Sequence, residues 1–271
     1  MKRLVKSLRE LQAAGRWDID FHLPPEGIKS FPADTLCRVD EVADVAKDKR
    51  DPTRLPDVPF QYLDISSVDV ATGSVANPQD LEGAEAPSRA RKVVRAFDIL
   101  ISTCRPTRGA IAVVPRKYHD QIASTGFSVV RAHDDVNPFY LHFALRLPST
   151  LEQFRKWSTG SSYPAILDED VAKTLIPVPS AEEQDRIALL VVQALDARDQ
   201  AIRKANYAWN RTLGEITSRL SGSAVMPDAM EKAESGSVPI TTADIQETIR
   251  SLPELTIDGR NTSTEAQAVL I

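Results

Sequence analysis

Between Ser180 and Leu220 an apolar residue returns every seven positions, and that repeat limits the possible fold more than any other feature of the sequence. Leu195, Ile202, Trp209 and Ile216 mark it, with Ala188 one heptad earlier. Val191 and Ala205 lie three residues after members of the series, and Val192, Leu213 and Leu220 lie four after. This spacing lays one apolar stripe along an α-helix, a heptad-like seam whose second position Arg198 and Asp199 interrupt. Ser180 followed by Glu183 reads as a capping box, so the helix is expected over 181–221. A helix of about 40 residues extends roughly 60 Å. That is more than a domain of this size covers, which favours packing against a partner helix over packing on the chain's own domain. Trp209 suits a broader interface than a narrow two-stranded seam.

The helix divides the chain into three expected regions: a mixed domain over 1–180, the helix, and an acidic, loosely ordered tail over 222–271. Strands are expected at Phe60–Ile65, Asp98–Thr103, Gly109–Val114 and Gly126–Arg131, short apolar or β-branched runs bounded by Gly and Pro. Helices are expected at Arg38–Ala46, at Asn137–Leu147 with Pro138 in the first turn, and at Thr150–Trp157 with Thr150 capping. Helices threaded irregularly between short strands imply an α+β domain rather than a βαβ array. Met1–Leu11 is basic and amphipathic but lacks the apolar run of a signal peptide. No segment approaches the roughly 20 apolar residues of a membrane span, so a cytoplasmic protein is expected. Cys37 and Cys104 share no metal or redox spacing.

Net charge is −5, but it is unevenly placed. From Ser223 to Ile271 there are eight acids and three bases, so residues 1–222 are close to neutral. Ala86–Arg131 holds nine bases against two acids, Asp98 and Asp120. A local surplus of this kind serves phosphate binding equally well as it serves a solvated surface. The search for catalytic patterns is negative: no Gly-x-Gly-x-x-Gly, no Walker loop, no His-Glu-x-x-His and no Gly-x-Ser-x-Gly. His22, His119, His133 and His142 share no metal-ligand spacing, and His133-Asp134-Asp135 reads as a polar turn. No metal and no cofactor are expected.

Three loops carry the candidate DNA contacts. Arg89, Arg91, Lys92 and Arg95 precede the strand at Asp98. Ser102, Thr103, Arg105, Thr107 and Arg108 occupy a loop between two strands. Lys156, Ser161, Ser162 and Tyr163 lie in a third loop, polar and built of small residues. Guanidinium groups grip phosphates and can bond a guanine edge twice, and hydroxyls add short bonds to backbone or bases. Each glycine in these loops, and Trp157, is equally explained by a turn or by the core.

The order of segments resembles the specificity subunits of type I restriction-modification systems. Ile166–Gln184, with its Ile-Pro-Val-Pro-Ser-Ala-Glu-Glu-Gln stretch, is similar to the end of a target recognition domain leading into a long helix. Tyr62–Asp69 resembles the family's early strand, and Phe97–Ser102 its Gly-Asp-Ile-Leu segment with Phe97 in place of Gly. Gly160–Ile166 resembles a Gly-Ser-x-Gln-x-x-Ile stretch without the glutamine. The resemblance covers about 30–220. It implies a non-catalytic subunit that reads half of a split site in double-stranded DNA. Its helix would hold methyltransferase subunits, with or without a restriction subunit, in a DNA-methylating defence complex. One recognition domain and one helix, where the family has two of each, imply a half-size form acting as a homodimer or with another half-subunit.

Two other readings stay open at this stage. Asn137-Pro138-Phe139-Tyr140 resembles the Asn-Pro-Pro-Tyr loop of adenine-N6 methyltransferases, which holds a flipped base, although a helix N-terminus explains the same four residues. The chain could also be an adaptor in which the helix matters and the basic loops do not.

Overall fold

The computed structural model describes residues 4–160 and 162–221. Ser161 and the expected tail over 222–271 lie outside the described residues. In chain order the strands are β1 (Leu36–Arg38), β2 (Ala43–Val45), β3 (Pro59–Leu63), β4 (Val68–Asp69), β5 (Ser74–Val75) and β6 (Gln79–Glu82). They continue as β7 (Ala90–Val94), β8 (Ile99–Ser102), β9 (Ile111–Val113), β10 (Gln121–Ser124), β11 (Phe127–Ala132) and β12 (Leu175–Pro177). The helices are α1 (Leu8–Ala14), α2 (Ile19–His22), α3 (Val39–Val42), α4 (Pro138–Leu145), α5 (Pro148–Trp157), α6 (Asp168–Ala172) and α7 (Ala181–Ser221). The class is α+β, as expected.

Three sheets form: β2-β11-β8-β9-β5-β4, β6-β3-β10-β7, and the pair β1-β12. The six-stranded sheet is buried on both faces, and the alternation of β8 shows how. Ile99 and Ile101 join Leu141, Leu145 and Phe154 of α4 and α5 in one core. Leu100 joins Leu63, Val94 and Ala123 of the four-stranded sheet in another. Helices thus cover one face and the second sheet the other, which is why β8 and β9 read as unbroken apolar runs rather than alternating ones. β11 crosses between the same two cores, with Val130 in the first and Phe127 and Val129 in the second.

The expected helix over Arg38–Ala46 is corrected. Only Val39–Val42 is helical, and Ala43–Val45 pairs antiparallel with β11. Pairing with a buried strand outweighs the weak helical preference of so short a segment. The helix at Thr150 starts earlier, at Pro148, whose ring suits a first turn. Thr150 is buried, and its hydroxyl donates to the Ala144 carbonyl rather than capping. Asn137 does cap α4, accepting from Phe139 and Tyr140 N–H groups.

The chain divides into two compact units between Ala188 and Leu189, two turns inside α7. The first turns of the helix belong to the domain because Gln184 and Ala188 are buried and Ile187 packs on its core. Gln184 donates to the Pro179 carbonyl at 2.9 Å and accepts from the Asn137 N–H at 3.0 Å. The Ser180 hydroxyl caps the Glu183 N–H at 3.4 Å, while the Glu183 carboxylate pairs with Arg186.

Candidate nucleic-acid interface

Four chain segments meet edge to edge at the loop end of β7, β8 and β11. The Thr125 N–H donates to the Arg89 carbonyl at 2.8 Å. The Thr103 N–H and hydroxyl both donate to the Gly126 carbonyl, at 2.8 and 2.9 Å. The Arg105 N–H donates to the Pro164 carbonyl at 2.7 Å, and the Ile166 N–H to the Thr103 carbonyl at 3.0 Å. A row therefore runs from Arg89 through the β10–β11 turn and the β8–β9 loop to Tyr163. Main-chain hydrogen bonds fix it, and the side chains that they do not engage at Arg89, Thr107, Arg108 and Ser162 stand exposed.

Local geometry shapes the centre of the row. Arg105 sits in the left-handed region at φ 49°, which a side chain other than glycine adopts at a cost and which concentrates at functional sites. Pro106–Arg108 forms a single 3₁₀ turn, closed by Gly109 at φ 70°. Gly160, at φ 91°, turns the opposing loop; a Cβ there would lie 3.0 Å from the Tyr163 carbonyl oxygen. These turns bring the Arg105 guanidinium over the Tyr163 ring, 4.8 Å from its centroid. The Tyr163 side is wide open, at 77 % exposure. Cation and ring hold each other in place, and the stack leaves the N–H edge of the guanidinium available. Arg89, Thr107, Arg108 and Ser162 are exposed along the same row. Thr125, exposed in the β10–β11 turn, was not expected from sequence; only pairing of distant strands puts it there.

Lys156, Ser102 and Thr103 are withdrawn as contacts. Lys156 is 6 % exposed, and its ammonium donates to the Leu23 and Pro24 carbonyls at 2.6 and 3.1 Å. It clamps the N-terminal segment to α5 and has no reach to a ligand. Ser102 is buried and donates to the Cys104 carbonyl at 2.8 Å, and the Thr103 hydroxyl is spent on Gly126. Both shape the loop from within. The basic run also splits: strand alternation sends Arg91 and Lys92 to opposite faces of β7. Arg91 lies 3.3 Å from Asp51, Lys92 3.4 Å from Asp168, and Arg95, past the far end of β7, 3.7 Å from Asp48. Arg89, Arg105 and Arg108 have no acidic partner among the described residues.

Asn137–Tyr140 is not a base pocket. Phe139 and Tyr140 are buried, and the Tyr140 hydroxyl donates to the Pro177 carbonyl at 2.6 Å. Burial pushes that hydroxyl up to about 12, so it stays a donor. On α7 the seam residues are open: Ile202, Trp209 and Ile216 are exposed and Leu195 is half-buried. Among the described residues no helix is long and apolar enough to cross a membrane.

Residues 74–206, from β5 into α7, match the type I restriction modification DNA specificity domain. The chain resembles that family over this span, just under half of its length. A specificity subunit of the type I restriction enzyme HindI from Haemophilus influenzae is 28 % identical over 149 residues, 54 % of this chain and 30 % of the relative. The HsdS subunit of Thermoanaerobacter tengcongensis is 37 % identical with a TM-score of 0.56, over 72 % of this chain and 50 % of that one. A chain from a study of complex assembly and conformational transition in a type I R-M system is 36 % identical with a TM-score of 0.55, over 75 % and 51 %. The chain thus spans about half the length of these two solved chains. The loop row at Arg89–Tyr163 and the first turns of α7 fall within or beside the matched span.

Proposed function

We propose that this chain is the DNA-reading, non-catalytic component of a type I restriction-modification complex. The observation that carries the reading is the composite row from Arg89 to Tyr163, with an oriented arginine at its centre, inside the span that matches the DNA specificity domain. Arg89 and Arg108 contribute phosphate contacts that set register without reading sequence. Arg105, held by Tyr163, addresses a base edge, and Thr107, Thr125 and Ser162 add hydroxyl bonds beside it. The seam of Leu195, Ile202, Trp209 and Ile216 takes a partner helix. The partners are a methyltransferase subunit and either a second copy or another half-subunit, which together would read two half-sites.

The test is to express the chain with its methyltransferase and map methylated positions across host DNA. A defined modified sequence is expected with the chain and none without it. Arg105→Ala should degrade preference at one position by about 1–3 kcal/mol, roughly 5- to 150-fold, whereas Arg108→Ala should weaken binding to all sequences alike. Methylation without any sequence preference, in the presence of an intact complex, refutes the reading.

A further inference from the structure

The start of β7 carries its cations already matched to acids. The edge of β7 away from β10 is covered by the segment 48–51: the Arg50 N–H donates to the Arg91 carbonyl at 2.9 Å, and the Val93 N–H to the Asp48 carbonyl at 3.0 Å. Lys49 stands opposite Lys92 in this pairing. The covering segment mixes both signs, Lys47-Asp48-Lys49-Arg50-Asp51, and the register sets Asp51 beside Arg91. Asp168, at the start of α6 and two residues beyond Ile166 of the loop row, reaches Lys92. Both pairs lie within three residues of Arg89, about 10 Å or less along the strand.

These pairs are loose. Their N···O separations are 3.3 and 3.4 Å, against 2.8 Å for the tight pair of Arg131 with buried Asp98 in the same domain. Charge-assisted bonds of full strength lie near 2.7–2.9 Å, and partly exposed pairs contribute little to stability. The Asp51 carboxylate also accepts from the Thr53 N–H and hydroxyl, a bond pattern an asparagine can reproduce. The Lys92 side chain is only 11 % exposed, so Asp168 is needed there to balance a covered charge. Asp51 has no such duty: Arg91 is more open and also donates to the Ala90 carbonyl at 2.8 Å. Asp51 does lower the field that Arg91, beside the row, offers to a phosphate.

We infer that Asp51 is a specificity-determining competitor: it occupies Arg91 so that phosphate attraction alone does not retain non-target DNA. The inference rests on the DNA-reading function proposed above. With the acids in place the row offers the unpaired charges of Arg89, Arg105 and Arg108. On a duplex that also satisfies the base contacts, Arg91 exchanges carboxylate for phosphate. Discrimination is then obtained by weakening the wrong complex rather than by strengthening the right one.

The experiment measures binding of the full chain to a labelled duplex of scrambled sequence between about 50 and 200 mM salt, for wild type and for Asp51→Asn. The released cation should add close to one to the salt slope, so that affinity falls about fourfold more across this range in the variant than in wild type. Non-target affinity at low salt should rise correspondingly. Adding Arg91→Gln should cancel both effects. Asp44→Asn, which makes the same change of charge on β2, opposite Arg131 and away from the row, should leave the slope unchanged. An unaltered slope in Asp51→Asn, while Arg89→Ala and Arg108→Ala weaken wild-type binding, overturns the competitor role and leaves the DNA-reading function standing. Equal steepening by Asp44→Asn also overturns it. Absence of any DNA binding by wild type, alone and with its methyltransferase, overturns both.

Discussion

His142 makes the stability of the domain depend on pH in a way that can be worked out in advance. It lies on α4, buried, with Nε2 3.3 Å from the Ile111 carbonyl, so the neutral ring carries its proton on that nitrogen. Gly73, at φ 71°, leaves the space it needs; a Cβ there would stand 2.5 Å from the same nitrogen. Burial disfavours the charged ring, and the nearby Arg146 guanidinium repels it, which together bring the pKa from 6.5 down to about 3. Arg146 is fixed by donating to the Val70, Ala71 and Thr72 carbonyls, so it cannot withdraw. In the unfolded chain the ring takes up a proton below 6.5, and in the folded domain it does not. Stability is therefore complete above 6.5 and is lost as pH falls towards about 3. At about pH 5, some 1.5 pH units below the unfolded value, the loss is about 2 kcal/mol, at about 1.36 kcal/mol per unit. Against a total stability of about 5–15 kcal/mol this is readily measured. Urea unfolding followed by circular dichroism at about pH 7.5 and pH 5, for wild type and His142→Gln, isolates the contribution, because the other histidines are common to both. Wild type should lose about 2 kcal/mol more than the variant on acidification. Parallel losses in the two proteins would refute the argument.

Further outcomes follow from other groups. Asp98→Ala strips Arg131 of the carboxylate it holds through two nitrogens at 2.8 Å; unfolding free energy should fall by about 3 kcal/mol. Lys156→Met should cost about 1–3 kcal/mol in thermal or urea unfolding, through the abandoned Leu23 and Pro24 carbonyls, while the salt slope of DNA binding stays unchanged. Trp209→Asp should abolish co-purification with a partner helix or second copy and leave unfolding of the domain unaltered, since Trp209 is 62 % exposed.

The sequence by itself determined the elements whose signals are local. The heptad series and Ser180 gave α7 its beginning and its stripe, because a 3.6-residue period and a cap depend on neighbours along the chain. Pro138 after Asn137 set the start of α4 in the same way, and unbroken apolar runs located β8, β9 and β11. Only the tertiary structure decided which side chains share the interface. Lys156 and Ser102 have the polarity of ligand-binding residues, and nothing nearby in sequence reveals that Leu23, Pro24 and Cys104 satisfy them. Arg91 and Lys92 are adjacent in sequence yet parted by the pleat and matched with acids 40 and 76 residues away. Thr125 reaches the row, and Arg105 meets Tyr163, through pairings that close loops of tens of residues. Hydrogen bonds and ion pairs act over about 3 Å in space and are indifferent to separation along the chain, so the fold alone assigns their partners.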